Sequence, residues 1–380
     1  MTVAEEHEAV VRRRLAAWTG ATRKLSRGPV AGTLAERLDQ LAREGAEAYD
    51  LSDWTDTYGN RVVAELERRT AETLGTEAAA FFPTGTMAQQ VALRCWAGRT
   101  ANRTVAMHPL AHPEQWERDA LSQLTGLRVV HPTQAPRMPY DSEVRALREP
   151  FGTLALELPL REAGFLLPDW DELTATVAVA RERDAVVHFD GARLWECAPH
   201  FGRGLPEIAE LADSVYVSFY KSLGGLSGAA LAGSAEFIEE TTTWRHRYGG
   251  QLFQQWPAAL SALAGLDREL PRLPEYVARA KEVAEALRAG CTAAGVSWVR
   301  IQPEVPHTHQ FLVWLPYDAE ALTEAAVRTA EETGVALFRI WDHAGLPGIA
   351  HTEVLVEEPG LAWSTAEITA AVVDFLSRVR

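Results

Sequence analysis

The chain has 380 residues, enough for two lobes rather than one ordinary core. Apolar side chains make up 47% and charged ones 23%, the composition of a soluble globular protein. Its 52 acidic against 37 basic side chains leave a net charge of −15, which argues against nucleic acid as the main partner but leaves room for a small anionic ligand.

The charged opening "MTVAEEHEAVVRRRLAAW" lacks an apolar core of signal-peptide length, and no apolar run is long enough to span a bilayer. Cys95, Cys197 and Cys291 are widely spaced and form no zinc or redox pair, so a reduced, cytoplasmic protein that does not contact a membrane is expected.

Residues 1–52 read as a helical segment, with apolar positions at helical spacing in "GTLAERLDQLAREGAEAY". From Asp53 the pattern changes. "VVAELERRTAETLG" is an amphipathic helix with a glycine stop, and "AAAFFPTGTMAQQVALRCWAG" reads as strand, turn and helix. The short apolar runs "LRVVHP", "GTLALELPL", "AVVHFDGAR" and "SVYVSFYKS" follow, separated by helix-length segments. This alternation predicts a mostly parallel sheet with helices on both faces, over residues 53–265. After a long helical stretch, "THQFLVWLP", "VALFRIW" and "TEVLVEE" predict strands of a smaller α+β domain over 266–380.

Ligands of an open parallel sheet bind beyond the carboxyl ends of its strands, and three of these ends carry chemistry. Thr84, Gly85 and Thr86 lie between a strand and a helix, where backbone N–H groups and hydroxyls can hold an anion, although a plain helix cap is the more ordinary account of them taken alone. Asp190 ends an apolar strand and can hold a proton on a ring nitrogen or merely form a turn. No second carboxylate or paired histidine stands at ligand spacing, which disfavours a metal. Arg193 offers a planar fork for a carboxylate, or a surface ion pair. Lys221 follows a strand that reads as buried and can trap a carbonyl, contact a phosphate, or simply snorkel. Together they describe a ligand with a phosphate, a protonated ring nitrogen and an aldehyde. Pyridoxal phosphate has all three.

The segments "YGN…ELERRTAETLGTEAAAFFPTGTMAQQVAL", "HFDGARLWE" and "DSVYVSFYKSLGGLSGAALAG" resemble the low-specificity threonine aldolases and related β-eliminating lyases, which are fold-type I pyridoxal phosphate enzymes. The resemblance implies that Lys221 bonds to the cofactor aldehyde and Asp190 pairs with its ring nitrogen. It likewise gives Thr84, Gly85 and Thr86 to the phosphate and Arg193 to the substrate carboxylate. "AHPEQWERDALSQLTG" matches the family segment whose histidine stacks on the ring, which makes His112 the stacking residue and Glu117 its acidic partner. A homodimer or homotetramer acting on a small amino acid is implied.

Three departures bear on substrate. The family's N-terminal serine segment has no clear counterpart, and its ENTH segment reads "ELPL". Where the family places a second carboxylate-binding arginine the chain has "GIAHTEVLVEE", with His351 and Glu353 nearby and Arg339 as a possible substitute; His307 and His309 are further candidates. The expected reaction is cleavage or formation of a β-hydroxy-α-amino acid, giving glycine and an aldehyde. Its alternatives are β-elimination or another transformation at Cα and, less favoured, a non-catalytic cofactor-binding protein.

Overall fold

The computed structural model describes residues 3–28 and 32–379. The chain divides into two compact units, residues 37–273 and residues 1–36 with 274–380.

The first unit is built on a seven-stranded sheet: β1 (Ala78–Phe82), β2 (Thr104–Ala106), β3 (Arg128–Val130), β4 (Thr153–Glu157), β5 (Val186–Gly191), β6 (Ser214–Ser218) and β7 (Ala229–Gly233). Their spatial order is β1-β7-β6-β5-β4-β2-β3. All neighbours are parallel except β7, which runs antiparallel to both β1 and β6. Every residue of β4, β6 and β7 is buried. A sheet covered on both faces demands this, and it explains why these strands read as unbroken apolar runs rather than as alternating ones.

The helices on its faces follow from apolar spacing and caps. Helix Val62–Leu74 buries Val62, Val63, Leu66, Thr70, Ala71 and Leu74, and ends at Gly75 in the left-handed conformation (φ 67°). Helix Gly85–Arg99 buries nine of its fifteen residues and packs in a cluster with Phe82, Tyr216, Leu231 and Phe237.

The second unit carries a four-stranded antiparallel sheet: β8 (Arg300–Gln302), β9 (Gln310–Leu315), β10 (Asp342–His343) and β11 (Ala350–Leu355), in the order β10-β11-β9-β8. Its core joins Phe311, Val313, Leu322, Trp341 and Phe375. The expected strand "VALFRIW" is largely absent: only Val335–Ala336 pairs, in parallel with Arg23–Lys24, and the chain then leaves regular structure. The apolar run has another cause. Leu337, Phe338 and Trp341 are buried in the core, so packing rather than a ladder selects those residues. Among the described residues, no helix is long and apolar enough to cross a membrane.

Candidate active site

The site grows from the carboxyl ends of β1, β4, β5 and β6. β1 ends at Phe82, and Thr84 stands extended (φ −139°, ψ 150°) as the N-cap of helix Gly85–Arg99. Its hydroxyl accepts from Met87 N at 3.2 Å, so the side chain acts as a cap. The first N–H groups of a helix have no partner within it, and here they open toward a cavity with the positive end of the helix dipole behind them. Gly85 is required by close approach: a Cβ there would lie 2.1 Å from the Tyr216 hydroxyl oxygen.

Strand register sets the next row. Glu157 of β4 pairs with Asp190 of β5, and Asp190 pairs with Tyr216 of β6, so the three stand side by side across adjacent strands. All are buried. Burial pushes the Glu157 carboxyl up to about 7, assisted by repulsion from Asp190. Burial likewise raises Asp190, against the pull of Lys221 and His112. Glu157 Oε2 accepts from His112 N at 2.7 Å, and its Oε1 accepts from Arg161 N at 3.2 Å. Asp190 Oδ1 accepts from Ala192 N at 3.2 Å.

Lys221 follows β6 after Phe219 and Tyr220, in a turn closed by Gly224 N donating to Lys221 O at 3.1 Å. Burial lowers its ammonium to about 8; Arg193 adds to the shift, while Asp190 and Glu157 oppose it. The Arg193 guanidinium sits 5.1 Å from the Phe165 ring centroid, and its Nε is buried without a hydrogen-bond partner among the described residues. His112 opens the short helix His112–Gln115. Its Nδ1 lies 3.4 Å from Oε1 of the buried Glu117, whose Oε2 accepts from Gln90 Nε2 at 2.9 Å.

Thr84, Gly85, Thr86, His112, Asp190 and Lys221 line one cavity of about 340 Å³. The donor set suits pyridoxal phosphate: a helix start for the phosphate, a buried carboxylate for the ring nitrogen and an amine of lowered pKa for the aldehyde. Arg193 is not among the lining residues, although its charge is felt at Lys221. Arg339 belongs to the other unit, where it is largely buried and its Nη2 donates to Ser26 Oγ at 3.2 Å. In that same unit His309 is fully buried, its Nδ1 2.7 Å from Val356 O, and the His351 ring stacks on Trp314 at 4.7 Å.

Sequence reasoning noted Glu157 only as a departure from a familiar segment. Its signal was available: "TLALE" ends an apolar strand in an acid, as "VVHFD" does. The cavity residues Gln89, Tyr216 and Tyr220 were not singled out, because only register and helix phase bring them there.

A family described as beta-eliminating lyase matches residues 43–301. A solved structure of a proposed L-allo-threonine aldolase from Listeria monocytogenes is 34% identical, covers 97% of this chain and 99% of its own, and superposes with a TM-score of 0.86. A proposed aromatic amino acid beta-eliminating lyase/threonine aldolase from Exiguobacterium is likewise 34% identical, over 96% of this chain and 99% of its own, with a TM-score of 0.86. The low specificity L-threonine aldolase of Escherichia coli K12 is 30% identical over 241 residues, 61% of this chain and 71% of its own. The architecture is that of the fold-type I pyridoxal phosphate enzymes, and pyridoxal phosphate is the cofactor.

Proposed function

We propose that this chain, which belongs to the beta-eliminating lyase family, is a threonine aldolase-like lyase that cleaves a β-hydroxy-α-amino acid to glycine and an aldehyde, or joins them in reverse. The observation that carries the reading is the convergence of Lys221, Asp190 and the Thr84–Thr86 helix start on one cavity. The names borne by its relatives support the choice of reaction.

Bound pyridoxal phosphate supplies an electron sink for the bond broken at Cα. The protein does the rest. Lys221, neutral more often than an ordinary lysine, would hold the cofactor at its aldehyde carbon as the amine nucleophile of the site. Asp190 holds the proton on the ring nitrogen. Arg193, whose Nε has no bond to the protein among the described residues, receives the substrate carboxylate. That anchor would fix the orientation of the substrate's Cα bonds in the cavity. His112, whose Nδ1 lies 3.4 Å from Oε1 of Glu117, would stack on the ring and accept the β-hydroxyl proton.

A homodimer or homotetramer is part of the proposal. Leu51 and Trp54 flank an apolar groove, and Trp54 is 80% exposed in the chain by itself. A cytoplasmic location accords with the three buried, unpaired cysteines.

The test is aldehyde release from L-threonine, L-allo-threonine and phenylserine by holoenzyme, with Lys221→Ala as the blank. Release above the blank supports the aldolase. Pyruvate or another elimination product from a β-substituted amino acid, without aldehyde, would overturn it.

A further inference from the structure

Beneath the cavity runs a buried chain of polar groups that the mechanism above does not use. Trp96 Nε1 donates to Ser214 Oγ at 2.7 Å, Ser214 Oγ lies 2.8 Å from His188 Nδ1, and His188 Nε2 lies 2.8 Å from Gln89 Oε1. All four residues are at least 93% buried; His188 is fully so, and Gln89 is 2% exposed. The chain ends abruptly. Gln89 lines the cavity, and its Nε2 is buried with no hydrogen-bond partner among the described residues. A buried amide without a partner costs stability unless a ligand or a moving neighbour completes it.

The chemistry of the donors fixes which way the chain points. An indole N–H can only donate, so Ser214 must accept from Trp96, and its own hydrogen is then free for His188 Nδ1. Burial lowers the His188 pKa to about 3, so the ring is neutral at working pH and carries one proton. With Nδ1 accepting, that proton is on Nε2 and is donated to Gln89 Oε1. The Gln89 NH₂ is thereby turned to the cavity. Asp190 stands two residues after His188 on the same strand, so both side chains leave β5 on one face. An amide oxygen turned that way would meet a carboxylate, and an amide N–H is attracted to it.

We propose that Gln89, oriented by the buried relay Trp96–Ser214–His188, is a positioning residue whose unpartnered amide N–H closes onto the Asp190 carboxylate when pyridoxal phosphate is bound and fixes that carboxylate against the ring nitrogen of the cofactor. Asp190 Oδ1 is held by Ala192 N, and Gln89 adds a second restraint on the same group once the cofactor is bound. The relay does nothing to the substrate. It makes the placement of a proton on the cofactor depend on three side chains outside the cavity. The inference rests on the reading of Asp190 given above.

The test uses holoenzyme reconstituted with pyridoxal phosphate labelled with ¹⁵N in the ring. In the unsubstituted protein the ring nitrogen should resonate as protonated. Gln89→Met, similar in length but without a donor, should shift it toward the unprotonated position and weaken cofactor affinity roughly tenfold to a hundredfold, the range of one hydrogen bond to a charged group. Asp190→Asn separates the two ideas. If it leaves the ring signal unchanged, the reading of Asp190 fails. If it abolishes protonation while Gln89→Met changes neither signal nor affinity, the Gln89 inference fails alone. A second measurement does not depend on a variant folding. In the apoprotein, ¹⁵N shifts should show His188 protonated on Nε2 and bare at Nδ1; the opposite tautomer would turn the Gln89 oxygen to the cavity and overturn the proposal.

Discussion

The lysine at the heart of the site is expected to titrate far below its relatives, and its neighbours should move it in opposite directions. Burial lowers the Lys221 pKa from 10.5 to about 8. At pH 7 about 9% of it is then neutral, against about 0.03% for an ordinary lysine, a gain of roughly 300-fold in nucleophile. Among the charged neighbours, Arg193 lowers the value and Asp190 raises it. Removing the cation by Arg193→Leu should therefore raise the Lys221 midpoint, and removing the anion by Asp190→Asn should lower it. The chain contains only three lysines, Lys24, Lys221 and Lys281, which makes the measurement direct. Apoprotein reductively methylated with ¹³C gives three lysine signals, assignable by substitution and followed against pH. A Lys221 midpoint near 10.5 would refute the desolvation argument. Two variants that shift it the same way would refute the assignment of its neighbours, since opposite charges at similar range cannot act alike.

Gly85→Ala should fold but lose cofactor. Its Cβ would lie 2.1 Å from the Tyr216 hydroxyl oxygen and 2.9 Å from Cζ, and Tyr216 is buried, so the helix start must move instead. Overpacking of this kind costs about 1–3 kcal/mol, read as a lower melting temperature, with a weakened dissociation constant for pyridoxal phosphate; an unchanged constant would mean that the helix start does not hold the phosphate. Glu157→Gln tests the buried acid row through pH. The Glu157 pKa is raised from 4.5 to about 7 in the folded chain, so its contribution to stability is complete below about 4.5 and is lost as the pH rises through about 7. The melting temperature of the variant relative to the parent should thus be higher at pH 8 than at pH 5. A difference independent of pH would place the Glu157 titration outside the folded structure.

Strand ends were legible because an acid or a lysine closing a run of apolar residues is conspicuous, and "VVHFD" and "SVYVSFYK" both announce themselves. β7 was not. Its sequence, Ala229–Gly233, is all alanine, leucine and glycine, without the β-branched or aromatic residues that mark a strand. Yet β7 decides the topology, since it is the strand that runs against its neighbours. "VALFRIW" erred in the opposite sense, where apolar residues wanted by a core imitated a strand. The placement of His112 came from a resemblance, because a histidine before a proline says nothing by itself. The relay through residues 89, 96, 188 and 214 had no local signal at all. Its members come from one helix and two strands, and only the pairing of His188 with Ser214 sets two of them side by side.

That dependence on register is what ties fold to chemistry here. In a strand a slip of one residue sends each side chain to the opposite face, so a slipped β5 would withdraw Asp190 from the cavity and His188 from Gln89 together. The cavity and its buried support thus share one structural determinant, the β5–β6 register that pairs His188 with Ser214 and Asp190 with Tyr216. The charges obey the same economy. Two buried carboxylates, Glu157 and Asp190, oppose two cations, Lys221 and Arg193. When Lys221 gives up its proton to act as a nucleophile, Asp190 loses the cation that most favours its charged form. A ring nitrogen protonated beside Asp190 would replace that cation, so the carboxylate that holds Lys221 charged is the one that makes a protonated ring the favoured guest.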